Sequence, residues 1–233
     1  MKIKKIASGS SGNCFLYNNN LLIECGISMK KIEKGVDYSV HDLTACLLSH
    51  EHRDHSKSVE SLEQRCIEIY MSKGTHDALS LPDSCFYHFL EAGKMVKIND
   101  YNIMPFEVYH DHEFMPCKEP LGFLIKHQDD QLVFITDTSH VKYQFPGTTH
   151  FMIECNYSEE LINKSLAART LPKSLYDRIR CTHFSLEQVK IFFEANDLST
   201  CEEIHLIHIS LNNGNAELFQ ETIQELTGKP VYV

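Results

Sequence analysis

The chain has 233 residues, 42% of them hydrophobic, enough to build one sizeable core, and a formal net charge of −10. That charge argues against a broad basic surface gripping long nucleic acid, but not against a local phosphate site in which bound cations offset it. No apolar run approaches the ~18 residues of a membrane span, and the start MKIKKIASGSSGN has no continuous apolar stretch like that of a signal peptide. A cytoplasmic protein without a membrane partner is expected, and its nine cysteines, odd in number and without a C-x-x-C pair, read as reduced and mostly buried thiols.

In chain order, short apolar or alternating runs predict strands at 3–6, 14–17 and 20–24, then a helix at 28–34 stopped by Gly35. A strand at 44–49, a helix at 56–65, a strand at 67–71 and a helix at 74–80 follow. Strands at 101–109, 121–127, 131–136 and 150–154 lead into helices at 158–168 and 185–195, the second with Ser185 as N-cap. The chain closes with a strand at 204–209, a helix at 215–227 stopped by Gly228, and a strand at 230–233. No repeat or linker marks a boundary, so a single domain over 1–233 is expected. Strands cluster with helices interspersed, which favours packed sheets covered by helices over a doubly wound parallel sheet.

Isolated histidines such as His41, His76, His88 and His127 read as surface or hydrogen-bonded residues, because a ligand needs convergent partners. "LLSHEHRDHSKS" differs: His50, His52, Asp54 and His55 open directly behind the apolar run ACLL, where a buried strand ends and its loop begins. Positions 50, 52 and 54 share a parity, so an extended backbone aims them to one side, and a turn can bring His55 alongside. Imidazoles joined by a carboxylate suit zinc, manganese or iron better than magnesium or calcium.

H-x-H-x-D-H behind an apolar strand resembles the signature of the metallo-β-lactamase superfamily. That resemblance implies an α/β fold, an αββα sandwich of two packed mixed sheets flanked by helices. It also implies further ligands: His110 in "FEVYHDHE", with His112 as a rival, Asp137 in "LVFITDTS", and His208 in "IHLIHISLNN" in preference to His205. "ASGSSGNCFLY", "LIECGIS", "EPLGFLI" and "CTHFSLEQVKIFF" are similar to the phosphodiesterase branch that contains tRNase Z and small bacterial exonuclease-like relatives. In that branch a histidine some two dozen residues before the last ligand is an active-site acid, and His183 stands 25 positions before His208.

By this resemblance His50, His52 and His110 would hold one metal and Asp54, His55 and His208 another, with Asp137 bridging two divalent ions, zinc or manganese. His183 and Asp54 are the catalytic candidates. His52 favours hydrolysis over the redox di-iron branch, which usually has glutamate there. Glu24 stands where relatives usually carry aspartate, Tyr157 where many carry histidine, and Glu154 reads equally as a solvated strand-end carboxylate or a site group.

A compact, acidic chain points to a small nucleotide phosphodiester. The pattern is similar to the phage anti-Pycsar phosphodiesterases that open cyclic CMP and cyclic UMP, which would place it in the host cell cytoplasm if phage-encoded. A metal-dependent exonuclease on DNA or RNA ends and a noncatalytic metal-binding interaction domain are the alternatives, and relatives in this branch are commonly homodimers.

Overall fold

The computed structural model describes residues 2–110 and 117–233, so His112 lies outside the described residues. These divide into two compact units, one running to Glu107 and including Cys117–Leu121, the other comprising Val108–His110 and Gly122–Val233.

The first unit opens with β1 (Ile3–Ala7), β2 (Cys14–Tyr17), β3 (Leu21–Ile23) and α1 (Met29–Gly35). It continues with β4 (Ala45–Leu47), α2 (Arg53–Ser56), α3 (Val59–Glu63), β5 (Ile69–Ser72) and α4 (Lys73–Ala78). It ends with β6 (Tyr87–Leu90), β7 (Val96–Ile98) and β8 (Tyr101–Glu107). Strands β1 to β6 form one sheet in sequence order, antiparallel from β1 to β3 and parallel from β3 to β6. Every residue of β3, β4 and β5 is buried, as expected of a parallel centre covered on both faces. Leu22, Ile32, Leu48, Leu62, Ile69 and Met71 belong to one core cluster there.

The helix expected at 56–65 is broken between α2 and α3. Ser58 donates its hydroxyl to Ile27 O at 2.5 Å and its N–H to Cys25 O at 3.0 Å, which takes its backbone out of a continuous helical ladder. Strands β6 and β7 were not anticipated; β6 pairs with β5, and His88 stacks on Tyr70 with centroids 4.5 Å apart.

The second unit carries β9 (Leu121–His127) from Gly122 onward, β10 (Asp130–Ile135), β11 (His150–Glu154), α5 (Glu159–Ala167) and α6 (Lys173–Thr182). Helix α7 (Leu186–Glu194), β12 (Glu203–Ile207), α8 (Ala216–Thr227) and β13 (Val231–Tyr232) complete it. Within this unit the strand order is β13-β12-β11-β10-β9, parallel except for the β9–β10 hairpin. Helix α7 starts in a capping box between Ser185 and Gln188. It sets Phe192 and Phe193 edge-on to Phe151 of β11, with centroids 5.9 and 5.4 Å apart. Helix α8 ends on Gly228 at φ 65°. Helix α6 was not anticipated: of its ten residues only Tyr176, Ile179 and Thr182 are buried, too thin an apolar stripe to read from sequence.

Both sheets are mixed and helices flank them, so the α/β class implied by the resemblance is the observed one. All nine cysteines are free, five of them buried. Burial pushes the Cys14 thiol well above its ordinary range, and a hydrogen bond with Cys25 followed by burial does the same for Cys46, so neither offers a thiolate to a metal. No described helix is long and apolar enough to cross a membrane.

Candidate functional site

In the first unit the histidine loop leaves β4 and becomes α2, with His52 as the residue before the helix. His50 and His55 are buried, and the His50 ring lies 4.8 Å from that of His52 and 4.2 Å from that of His55, centroid to centroid. Ser49 Oγ lies 2.8 Å from His50 Nδ1 and fixes that ring's orientation. Asp54 Oδ2 is 3.5 Å from His55 Nε2, and buried Glu24 places Oε2 3.4 Å from His55 Nδ1.

Two of the quoted motifs hold this loop by its backbone. Asn13 of "ASGSSGN" donates its N–H to Asp54 O at 2.7 Å, and Cys25 of "LIECGIS" donates to His55 O at 2.8 Å. A Cβ on Gly26 would sit 1.6 Å from Asp54 O, so only glycine permits this approach.

In the second unit the candidate residues leave the ends of adjacent parallel strands. Asp137 lies just past β10, Glu154 ends β11, and His208 follows β12. Their registers align, with Ile135 opposite Ile153 and Glu154 opposite Ile207. Asp137, Glu154, His183 and His208 each offer one ligand atom, all within 4.8 Å of one another.

Glu154 is wholly buried, which corrects the solvated reading, and it organises the group. Its Oε1 lies 2.7 Å from Nδ1 of both His183 and His208, and its Oε2 accepts the backbone N–H of Thr138 and of Phe184, each at 3.2 Å. Burial pushes its carboxyl pKa upward, but the His183 charge and the hydrogen bonds from both imidazoles outweigh burial and hold it below its ordinary value. Glu154 therefore stays ionised and fixes both rings through Nδ1.

His110 supplies the clearest test of a metal's fit. Its Nδ1 lies 2.9 Å from the Thr182 carbonyl, which can only accept, so Nδ1 carries the proton and Nε2 the lone pair of the neutral ring. That Nε2 faces Asp137 Oδ2 at 3.9 Å. Two electron-pair donors that face each other this closely can turn toward one ion, whose tetrahedral ligands at bonds of roughly 2 Å stand roughly 3.3 Å apart.

His205 is elsewhere, stacked on Tyr232 at 5.0 Å with Nε2 3.2 Å from Glu203. Tyr157 is buried with its phenol pushed up by burial, and its carbonyl accepts the Leu186 N–H. It serves packing at the α7 start.

Residues 19–217 match the family model described as "Beta-lactamase superfamily domain". The chain is 28% identical over 239 residues to Exodeoxyribonuclease WalJ of Streptococcus pneumoniae, spanning 95% of this chain and 86% of that protein. It is 24% identical over 237 residues to Exodeoxyribonuclease YycJ of Bacillus anthracis, spanning 95% and 87%. Among solved structures, the metallo-beta-lactamase fold protein YhfI from Bacillus subtilis superposes with a TM-score of 0.73 at 14% identity, over 99% of this chain and 94% of that one. A family model covering most of the length and a shared fold give one conclusion: the chain belongs to the metallo-β-lactamase superfamily.

Proposed function

We propose that the protein is a metal-dependent phosphodiester hydrolase acting as an exonuclease on DNA ends. The observation that carries this reading is the buried Glu154 carboxylate, which holds His183 and His208 by Nδ1 at 2.7 Å beside Asp137. The relatives that support the substrate are named exodeoxyribonucleases and match nearly the whole chain. His50, His52, Asp54, His55, His110, Asp137 and His208 would hold two divalent ions, zinc or manganese, divided as in the family. Such ions lower the pKa of a water toward neutrality and polarise the phosphoryl oxygens.

The protein's own part is positioning and proton transfer. Glu154 fixes His183 by Nδ1, leaving its Nε2 as the atom that hands a proton to the departing sugar oxygen. The Asp54 side chain, 26% exposed, is the carboxylate that would orient the attacking water. The net charge of −10 favours one second reading, hydrolysis of a small cyclic nucleotide such as cyclic CMP or cyclic UMP, which needs no long basic track. The relatives lend that reading no support. A cytoplasmic homodimer of one 1–233 domain belongs to the same proposal, and sedimentation equilibrium tests the dimer.

The deciding experiment incubates protein reconstituted with manganese or zinc with end-labelled DNA, cyclic CMP and cyclic UMP. Progressive shortening of DNA is the expected result. Intact DNA with released nucleoside monophosphate selects the cyclic substrate, and bound metal with no turnover selects the noncatalytic class.

A further inference from the structure

A cavity of about 260 Å³ lies in the second unit between residues 139–144 and α7 with the turn after it. Gln188, Ile191, Phe192 and Ala195 line it at helical spacings of three and four, and Asn196 closes one end. The opposite wall is pinned by hydrogen bonds. Gln188 Nε2 donates to Ser139 O at 2.8 Å, Gln144 Nε2 to Ala195 O at 2.8 Å, and Phe145 N to Asn196 Oδ1 at 2.9 Å. These amides shape the walls, and the apolar side chains between them face solvent: Ile191 is 64% exposed and Tyr143 39% exposed. Ile191 and Tyr143 thus leave apolar surface open to a ligand beside the buried Phe184 and Phe192, which line the same cavity.

Chain neighbours tie this cavity to the proposed chemistry. Phe184, in its lining, directly follows His183, and Ser139 comes two residues after Asp137. Tyr109, next to His110, accepts the Ser139 N–H at 2.8 Å and stacks on His140 with centroids 4.0 Å apart and planes 10° apart. Lys142 Nζ lies 4.3 Å from the Tyr109 ring centroid, so a cation sits beside the aromatic stack.

We infer that this cavity is a nucleobase subsite: it receives the base of the nucleotide whose phosphodiester is hydrolysed, with Lys142 as the nearby cation for that nucleotide's phosphate. The volume is below the ~300 Å³ at which sites for drug-sized ligands begin, so it takes one ring system rather than a chain. Every base offers a π-face to apolar and aromatic walls, which makes such a slot tolerant of sequence.

The inference rests on the phosphodiesterase reading, and its test separates the two. Protein labelled at isoleucine δ1-methyl groups is titrated, without metal, with thymidine 5′-monophosphate and with the base-free 2-deoxyribose 5-phosphate. The Ile191 methyl signal is expected to shift saturably, with the base-free compound binding roughly tenfold more weakly. Tyr143→Ala should weaken thymidine monophosphate binding by a similar factor, and Ile191→Glu, at an exposed position, should do the same by equilibrium dialysis. Equal binding of the two compounds, or no Ile191 shift in protein that shortens DNA, overturns the subsite and leaves the hydrolase standing. A saturable, base-dependent shift in protein that cleaves no phosphodiester upholds the subsite and removes the hydrolase.

Discussion

Glu154→Gln is the substitution whose consequence the structure defines most closely. The carboxylate serves four donors: two imidazole Nδ1 atoms at 2.7 Å on one oxygen and two backbone N–H groups at 3.2 Å on the other. Glutamine offers one acceptor oxygen, so its NH₂ meets two donors whichever way it turns. Facing the backbone pair, it leaves two buried N–H groups unsatisfied at about 1–3 kcal/mol each, a loss of about 2–6 kcal/mol. Facing the imidazoles, it forces their protons from Nδ1 to Nε2, and a protonated Nε2 on His208 cannot bind metal. The variant thus loses stability or metal. The expected stability loss is a large share of the ~5–15 kcal/mol typical of a whole domain. Because the chain has no tryptophan, urea unfolding is best followed by far-UV circular dichroism, with metal content measured by mass spectrometry. The Glu154 pKa is lowered in the fold, so its contribution is present above the ordinary ~4.3 and fades as pH falls through the folded value. Wild type and variant should converge in acid. A variant with the wild-type midpoint at neutral pH and full metal content would refute the assignment of Glu154 as organiser.

His183→Ala should retain metal and lose turnover by roughly 10²–10⁴, the usual worth of a general acid, whereas Asp137→Ala should lose metal as well. Equal metal loss in both would sink the acid role. Gly26→Ala must push the Asp54 carbonyl away from a contact of 1.6 Å, so metal affinity should fall together with thermal stability, and an unchanged metal titration would count against the cradle. Ser185→Ala removes one half of the α7 capping box and should cost about 1 kcal/mol in urea unfolding while leaving bound metal unchanged.

Most strands were legible because the buried parallel ones are built on short apolar runs, as in "LLI", "ACL" and the "FMI" within "HFMIE". What escaped depends on contacts distant in sequence. Ser58 breaks an otherwise periodic helix only because Cys25 and Ile27 carbonyls are there to receive it. Helix α6 is held by Tyr176 and Ile179 in a cluster with Tyr157, Ile162 and Leu171, and nothing inside KSLYDRIRCT announces those partners. The histidine loop was legible because four donor residues within six positions are rare, whereas Glu154 was ambiguous because a single strand-end carboxylate is ordinary. A signal existed: it closes a strand between two others whose ends carry Asp137 and His208.

Backbone conformation was out of reach, and it bears directly on the site. Glu24, Asp137 and His208 each follow the end of a strand and each adopt a left-handed φ, at 64°, 43° and 55°. For residues with a Cβ this conformation costs roughly 1–2 kcal/mol, and glycine is the usual solution at such a turn. Glycine would relieve the strain and remove the carboxylate or imidazole in the same step. The alternative of continuing the strand would carry the side chain on to the next alternating position, aimed at the opposite face. Left-handed φ also occurs at ordinary turns of this chain, such as Gln128 at 54° and Arg169 at 58°, so at Glu24, Asp137 and His208 it is the donor presented at a strand's end, and not the strain alone, that ties the conformation to the proposed site.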